Sequence, residues 1–179
     1  DWAKFRRTKG AVKLHLVLDH DGYLPCYGVI TEGSVHDVKV AWRIPFPAGT
    51  VVVDDRGYND YRLFAYWTDS GVFFVTRMKD NAVYEVVEEH AVPQNRNILR
   101  DQTIRLTGAG AQDKCPHLLR RVEAVREDTG ETLVFLTNHF TVSALTIAHL
   151  YRCRWQVELF FKWIKQHLRI KNFYGTSDN

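Results

Sequence analysis

Residues 50–75 read TVVVDDRGYNDYRLFAYWTDSGVFFV, and this stretch decides the fold. Thr50-Val51-Val52-Val53 is a β-branched run of the kind that fills a buried strand. Asn59 can cap a helix carrying Tyr61, Leu63, Phe64 and Trp67, and Gly71 can close it. Val72-Phe73-Phe74-Val75 then reads as a second buried strand. Strand, helix and strand at this spacing predict a βαβ unit with the two strands parallel. Asp54 and Asp55 fall where the first strand ends, the edge at which open α/β sheets gather ligands. An acid there can hold a divalent cation without burying an unpaired charge. It can equally be a turn residue that caps the next helix.

On the N-terminal side, residues 11–19 (AVKLHLVLD) alternate apolar and polar side chains as a strand does. His20-Asp21-Gly22-Tyr23 supplies Asp-Gly turn chemistry, and residues 24–31 (LPCYGVIT) read as the returning antiparallel strand. Ser34-Val35-His36-Asp37 offers capping side chains to a short helix ending near Arg43, before Pro45 and Pro47, and Asp37 reads as its cap. His15 shares its strand with Lys13 and lies either beside the sheet or in solvent. On the C-terminal side, residues 80–131 are polar and lack a sustained helical period. Short alternating pieces, Thr103–Leu106 and Val122–Val125, make this segment β-rich. Thr132–Thr137 closes it as a strand. From Ser143, a plausible cap, to about Ile170 the pattern is helical.

Composition narrows the function. Apolar residues make up 45% of the 179, with Phe 10, Tyr 8 and Trp 5, enough for a real core and too many for a disordered chain. Cys26, Cys115 and Cys153 are widely spaced with no C-x-x-C, which argues against a zinc site or a disulfide framework and fits a reducing cytoplasm. No apolar run approaches the ~18 residues a membrane span needs. Charge is unevenly placed: residues 1–13 carry five cations against Asp1, and residues 149–171 carry six against Glu158. The stretch between them holds 13 basic and 18 acidic residues. Basic ends around an acidic middle are read either as faces for a polyanion or as ordinary charge scatter.

The last predicted helix holds the sharpest pattern. At ~100° per residue, Tyr151, Arg154, Glu158 and Lys165 fall within a stripe about 60° wide. Leu150, Val157, Phe161, Ile164 and Leu168 form an apolar stripe beside it, while Leu159, Phe160 and Trp163 cover other directions, so much of the helix is predicted to be buried. The polar stripe has two readings: an Arg154–Glu158 surface pair worth only ~0.2–0.5 kcal/mol, or an acid held beside cations and facing a cleft. Cleavage of a phosphodiester gains from two divalent ions ~3.5–4 Å apart, held by acids converging from several elements. Asp55 and Glu158 are two candidates from distant parts of the chain. Cys153, inside this helix, reads as a packing residue.

The spacing Tyr151-x2-Arg154-x3-Glu158-x6-Lys165 resembles the Tyr-Arg-Glu-Lys signature of DDE transposases from bacterial insertion sequences. Asp55-Arg56-Gly57-Tyr58 resembles that family's second acidic motif, and Trp2–Gly10 with Lys13-Leu14-His15 looks like the run after its first acid. His36-Asp37 also recurs in similar sequences. The resemblance covers nearly the whole chain. It implies an α/β fold: an RNase H-like core, residues 1–79 and 132–179, interrupted by a β-rich insertion at 80–131. It implies that Asp55 and Glu158 are catalytic and bind Mg²⁺ (or Mn²⁺), with Asp54 a neighbour. Tyr151, Arg154 and Lys165 would hold the backbone of double-stranded DNA. The activity implied is nicking of transposon ends and their joining to target DNA by a bacterial, cytoplasmic, nucleoid-associated protein that is a homodimer when full-length. The insertion would help clamp the transposon end; all five Trp lie outside it, so no stacking Trp is assigned there.

The sequence departs from the family at its start. The family's first Asp lies on a strand upstream of the Trp2–Gly10 run, and that first core strand is missing here. Asp1 is too close to Trp2, and Asp19 sits at the end of the next strand. Both ends look cut, and the expectation is that the chain alone does not cleave DNA. The alternative reading is a transposase-derived remnant that binds DNA without cutting it. An unrelated RNase H-like nuclease is disfavoured by the position of Lys165.

Overall fold

A computed structural model describes residues 4–6, 9–10, 12–94 and 97–167. The predicted βαβ unit is present. Strand β5 (Val51–Val53) pairs parallel with β6 (Phe73–Arg77), with Val51 opposite Phe73, and helix α2 (Tyr61–Asp69) crosses between them. The helix starts one residue later than the sequence suggested. Asp60 is the cap, and its carboxylate accepts from the amides of Arg62 (2.8 Å) and Leu63 (3.1 Å), an arrangement worth ~1 kcal/mol. Asn59 instead donates to the carbonyls of Arg77 (2.9 Å) and Arg56 (3.3 Å), fastening the turn after β5 to the end of β6. Gly71, at φ +70°, closes α2 in the left-handed conformation that a side chain disfavours.

Before this unit lie β1 (Lys4–Arg6) and β2 (Lys9–Gly10), which pair with each other, and the hairpin of β3 (Val12–Leu18) and β4 (Pro25–Glu32). The hairpin is antiparallel, as its alternation and Asp-Gly turn predicted, but the left-handed residue of the turn is Tyr23 (φ 54°). Helix α1 spans only Asp37–Ala41. Here the capping expectation fails. His36 holds the cap position without a side-chain bond, and Asp37 is the first helical residue. Its carboxylate is taken by the hairpin, by Lys13 Nζ at 2.9 Å and His15 Nδ1 at 3.1 Å.

The β-rich segment supplies β7 (Tyr84–Glu89), β8 (Ile98–Leu106), the short helix α3 (Ala111–Lys114) and β9 (Leu119–Val125), followed by β10 (Thr132–Thr137). These strands continue the sheet of the βαβ unit, in the order β5-β6-β10-β9-β8-β7. The whole is a mixed α/β architecture around a mainly antiparallel sheet. Alternation along the strands sorts the core into two layers. Val52, Phe74 and Leu136 face Leu63, Phe64 and Trp67 of α2 and Ala111 of α3. Phe64 and Phe74 stack with ring centroids 4.3 Å apart. Val51, Val53, Val75 and Phe135 face the other way, toward Ala144 and Ile147 of α4 (Ala144–Cys153).

The helical run predicted from Ser143 is two helices. Ser143 does cap α4, accepting from the Thr146 amide at 3.1 Å. At Arg154 the bonding tightens to i→i−3, with Arg154 N–H donating to Tyr151 O and Val157 N–H to Arg154 O, and α5 (Trp155–His167) begins. The expected burial of this second half is not found: α5 has no buried residue, and Trp155 (55%), Leu159 (44%) and Trp163 (53%) are exposed. The reason is positional. Helix α4 lies on the sheet, whereas α5 runs on from it and packs chiefly on α4. Leu168 and Ile170, placed in this helix from the sequence, lie outside the described residues, as does the structure of the basic N-terminal side chains.

Candidate active site

Asp55 stands where β5 ends, at the start of a 3₁₀ turn formed by Arg56–Tyr58. Its Oδ1 accepts from the Gly57 amide at 2.7 Å. A Cβ at position 57 would stand 2.9 Å from that oxygen, so glycine is what lets the carboxylate fold over the turn. Asp55 remains exposed. Val53 of β5 faces α4, and Asp55 follows it by two residues. Its charge acts on Tyr151 and Arg154 there.

Asp54 is 7% exposed, with no hydrogen-bond partner for either carboxylate oxygen. Burial pushes its carboxyl up to about 8; Thr76 and the charge of Arg154 oppose this, and the charge of Asp55 adds to it. The Thr76 hydroxyl itself donates to the carbonyl of Asp55 at 3.3 Å. Tyr58, half-buried, has its phenol raised by burial first and then by Asp37, Asp55 and Asp54. The burial of Asp54 and the partial burial of Tyr58 are invisible in the sequence, where Asp54-Asp55 is only a doublet.

Arg154 is the hub of the opposite wall. Its Nη2 donates to Glu158 Oε1 at 2.8 Å, and its guanidinium lies 5.5 Å from the centre of the Tyr151 ring. Burial works against its charge, but the bond to Glu158 and then the charges of Tyr151, Glu158 and Asp55 outweigh it and raise its basicity. Tyr151 packs on Phe135, 4.9 Å between ring centres, and burial raises its phenol although Arg154 counters this. Lys165 lies two turns beyond Glu158. Together with Phe161, Lys162 and Gln166 the two line an open cavity of about 500 Å³. Tyr151 and Glu158 thus flank Arg154, the charge of Asp55 reaches it from the strand end, and Lys165 lies further along the same stripe.

What places α4 here is a buried arginine that nothing in the sequence singled out. Arg120 of β9 binds Asp101 of β8 through two bonds (Nε–Oδ1 2.8 Å, Nη2–Oδ2 2.7 Å). Its Nη1 also donates to the carbonyls of His139 (3.1 Å) and Val142 (2.6 Å), in the loop that leads into Ser143. The pairing of residues 101 and 120 depends on strand register, which leaves no local signal.

Oxygen donors suit Mg²⁺ or Mn²⁺. Asp55 and Glu158 fit in kind, and Gly57 pre-orients Asp55. Among the described residues no group of three or more His, Cys, Asp or Glu converges. His15, expected beside the sheet or in solvent, is buried between Asp37 and Thr31, its Nε2 lying 2.8 Å from Thr31 Oγ1. Burial lowers its pKa, Asp37 opposes this, and Lys13 adds to it. Cys153 is half-buried, as a packing residue would be. No described helix is long and apolar enough to cross a membrane.

The fold is thus a mixed sheet with an exposed acid at the end of a parallel strand, and with Tyr151, Arg154 and Glu158 carried across the α4–α5 joint. Residues 2–179 match the family model of the transposase DDE domain, and the chain belongs to that family. A Sinorhizobium fredii protein named as transposase y4zB is 37% identical over 99% of this chain and 51% of its own length. A Geobacillus stearothermophilus protein, named as a transposase for insertion sequence element IS5377, is 32% identical over 99% of this chain and 47% of its own. A Synechocystis protein named as a transposase for IS4SA is 24% identical over 84% and 42%. The chain spans about half the length of these curated relatives.

Proposed function

We propose that this chain is catalytic core of a DNA transposase that nicks transposon ends and joins them to target DNA, with Asp55 and Glu158 as its metal-holding carboxylates. The observation that supports this most directly is that Val53, two residues before Asp55, and Tyr151, beside the Arg154–Glu158 pair, pack on the same core cluster, which brings acids 103 positions apart to one side of the sheet. An RNase H-like core carrying residues 80–131 as an insertion accommodates that geometry, because the strands of the insertion brace α4 through Arg120.

In this reading Asp55 and Glu158 hold Mg²⁺ or Mn²⁺, which when bound supplies a more acidic attacking hydroxyl and charge neutralisation at the leaving oxygen. Arg154 and Lys165 compensate phosphate charge along the stripe, and Tyr151 sets one wall of the strand's path. Gly57 keeps the Asp55 carboxylate folded over its turn. The substrate is double-stranded DNA, the full-length protein works as a homodimer on two ends, and its place is the bacterial cytoplasm at the nucleoid. Two described carboxylates are one fewer than a three-acid site, so the 179-residue chain is expected to bind DNA without cleaving it.

Mn²⁺ titration followed by electron paramagnetic resonance tests the site. Asp55→Asn and Glu158→Gln are each expected to weaken Mn²⁺ binding at least about tenfold. Unchanged binding in both variants would remove the two carboxylates from the metal site. Mg²⁺-dependent cleavage of duplex DNA by the wild-type chain, lost in Asp55→Asn, would overturn the expectation of inactivity.

A further inference from the structure

The same edge of the sheet that bears Asp55 opens, on the α2 side, into a groove of about 630 Å³. Its lining includes Arg62 from the first turn of α2, Lys79 just after β6 and Lys114 at the end of α3, with Asp60, Asn81 and Gly108 between them. The one acid is engaged, since Asp60 Oδ1 already accepts from two amides of its own helix. Among the described residues Arg62 and Lys114 have no ion-pair partner, and Lys79 donates only to the carbonyl of Asn59, at 3.2 Å. This contrasts with the arginines elsewhere on the sheet. Arg77 pairs with Glu131, Arg105 with Glu85, Arg120 with Asp101 and Arg121 with Glu123. Three cations left without acids in one concavity signal an anion with more than one charge.

The groove is joined to the candidate active site by short bonds. Arg56, next to Asp55, pairs with Asp80 at 2.8 Å, so the turn after β5 and the segment after β6 form one wall. Both elements lie at the C-terminal ends of the parallel strands, where ligands of such sheets collect. A nucleic-acid strand presents a phosphate about every 3.4 Å along the helix axis, so it offers repeated charge to three cations carried on separate elements.

We propose that Arg62, Lys79 and Lys114 form a second DNA-backbone contact, receiving the duplex as it crosses the end of the sheet away from Asp55. This rests on the transposase reading for the identity of the polyanion, not for its chemistry.

Fluorescence anisotropy of a short labelled duplex, titrated with the 179-residue chain between about 50 and 200 mM salt, reads this directly. Divalent cations are left out. Arg62→Gln, Lys79→Gln and Lys114→Gln should each lower the slope of log affinity against log salt by about 0.9. The three combined should weaken binding well beyond Lys39→Gln/Arg43→Gln/Arg100→Gln, which removes the same charge from exposed positions elsewhere. Circular dichroism checks that each variant is folded. Equal weakening by the two triple variants overturns the proposal, as does a wild-type chain whose duplex binding ignores salt. Displacement of the duplex by millimolar inorganic phosphate from the wild type alone would mark a single-anion pocket and also overturn it. Mn²⁺ binding without DNA reads the active site and metal-free, salt-dependent duplex binding reads the groove, so the two readings can fail separately.

Discussion

The two halves of the helical run that carries Tyr151, Arg154, Glu158 and Lys165 are built on different principles. Helix α4 is pinned at its start by Arg120 and Ser143 and buries Ala144 and Ile147 against the sheet. Helix α5 has no fully buried residue, only half-buried ones such as Val157, Phe161 and Ile164. The residues that frame the site are split between them: Tyr151 is on the pinned half, Glu158 and Lys165 are on the free half, and Arg154 is the joint. The distinction teaches that one sequence signature can span two mechanical regimes. The position of Glu158 relative to Asp55 depends on the joint, on its 2.8 Å bond to Arg154 and on the half-buried apolar residues of α5.

The comparison breaks most visibly if Arg120 is removed. Arg120→Ala leaves Asp101 as an uncompensated buried carboxylate and frees the loop before α4. A loss of about 3–5 kcal/mol is expected. Thermal unfolding should fall by roughly 6–20 °C for a domain of this size, with amide exchange rising first at the start of α4. A melting temperature unchanged within a degree would mean that the brace does not hold this half.

Asp54 offers a middle-sized effect with a distinct pH signature. Its folded-state pKa, raised from 3.8 to about 8 by burial, means that the native state keeps a proton the unfolded chain gives up. Stability from this group is full below about pH 4 and drains away as pH rises toward about 8. Asp54→Asn, which stays neutral, should therefore raise the melting temperature at pH 8 by at least about 2–4 °C, the shift that ~1 kcal/mol produces, and do little near pH 4. Equal effects at both pH values would show that Asp54 is not held protonated.

The smallest stability effect belongs to the free half. The Arg154–Glu158 pair is exposed on its acidic side, and such i,i+4 pairs contribute ~0.2–0.5 kcal/mol. Glu158→Gln should move the melting temperature by no more than about 2 °C while weakening Mn²⁺ binding, as above. A large destabilisation would show that α5 is anchored after all.

Much of this was legible before any coordinates. The βαβ unit, the hairpin, the β-rich character of residues 80–131 and the strand at 132–137 follow from periodicity and turn chemistry, which act over a few residues. The structure differs from the sequence reading in which of two neighbouring capping groups is used. Asp60 displaced Asn59, and Asp37 turned to Lys13 and His15 because the hairpin brought two cation-capable side chains within 3.1 Å. The burial assigned to α5 failed for a related reason: an apolar stripe shows that a helix could be covered, and what covers it depends on neighbours distant in sequence.

The sequence by itself determined the family and the types of element, because the Asp55–Tyr58 and Tyr151–Lys165 spacings and the apolar periods are properties of the chain read in order. Only the tertiary structure decided which acid of the doublet stays in solvent, since Asp55 is exposed at the strand end while Asp54 is buried beside it. The pairing of Asp101 with Arg120, the gathering of Arg62, Lys79 and Lys114 in one groove, and the exposure of α5 were settled at the same level. Each depends on strand register and helix packing, which join residues that have no relation along the chain.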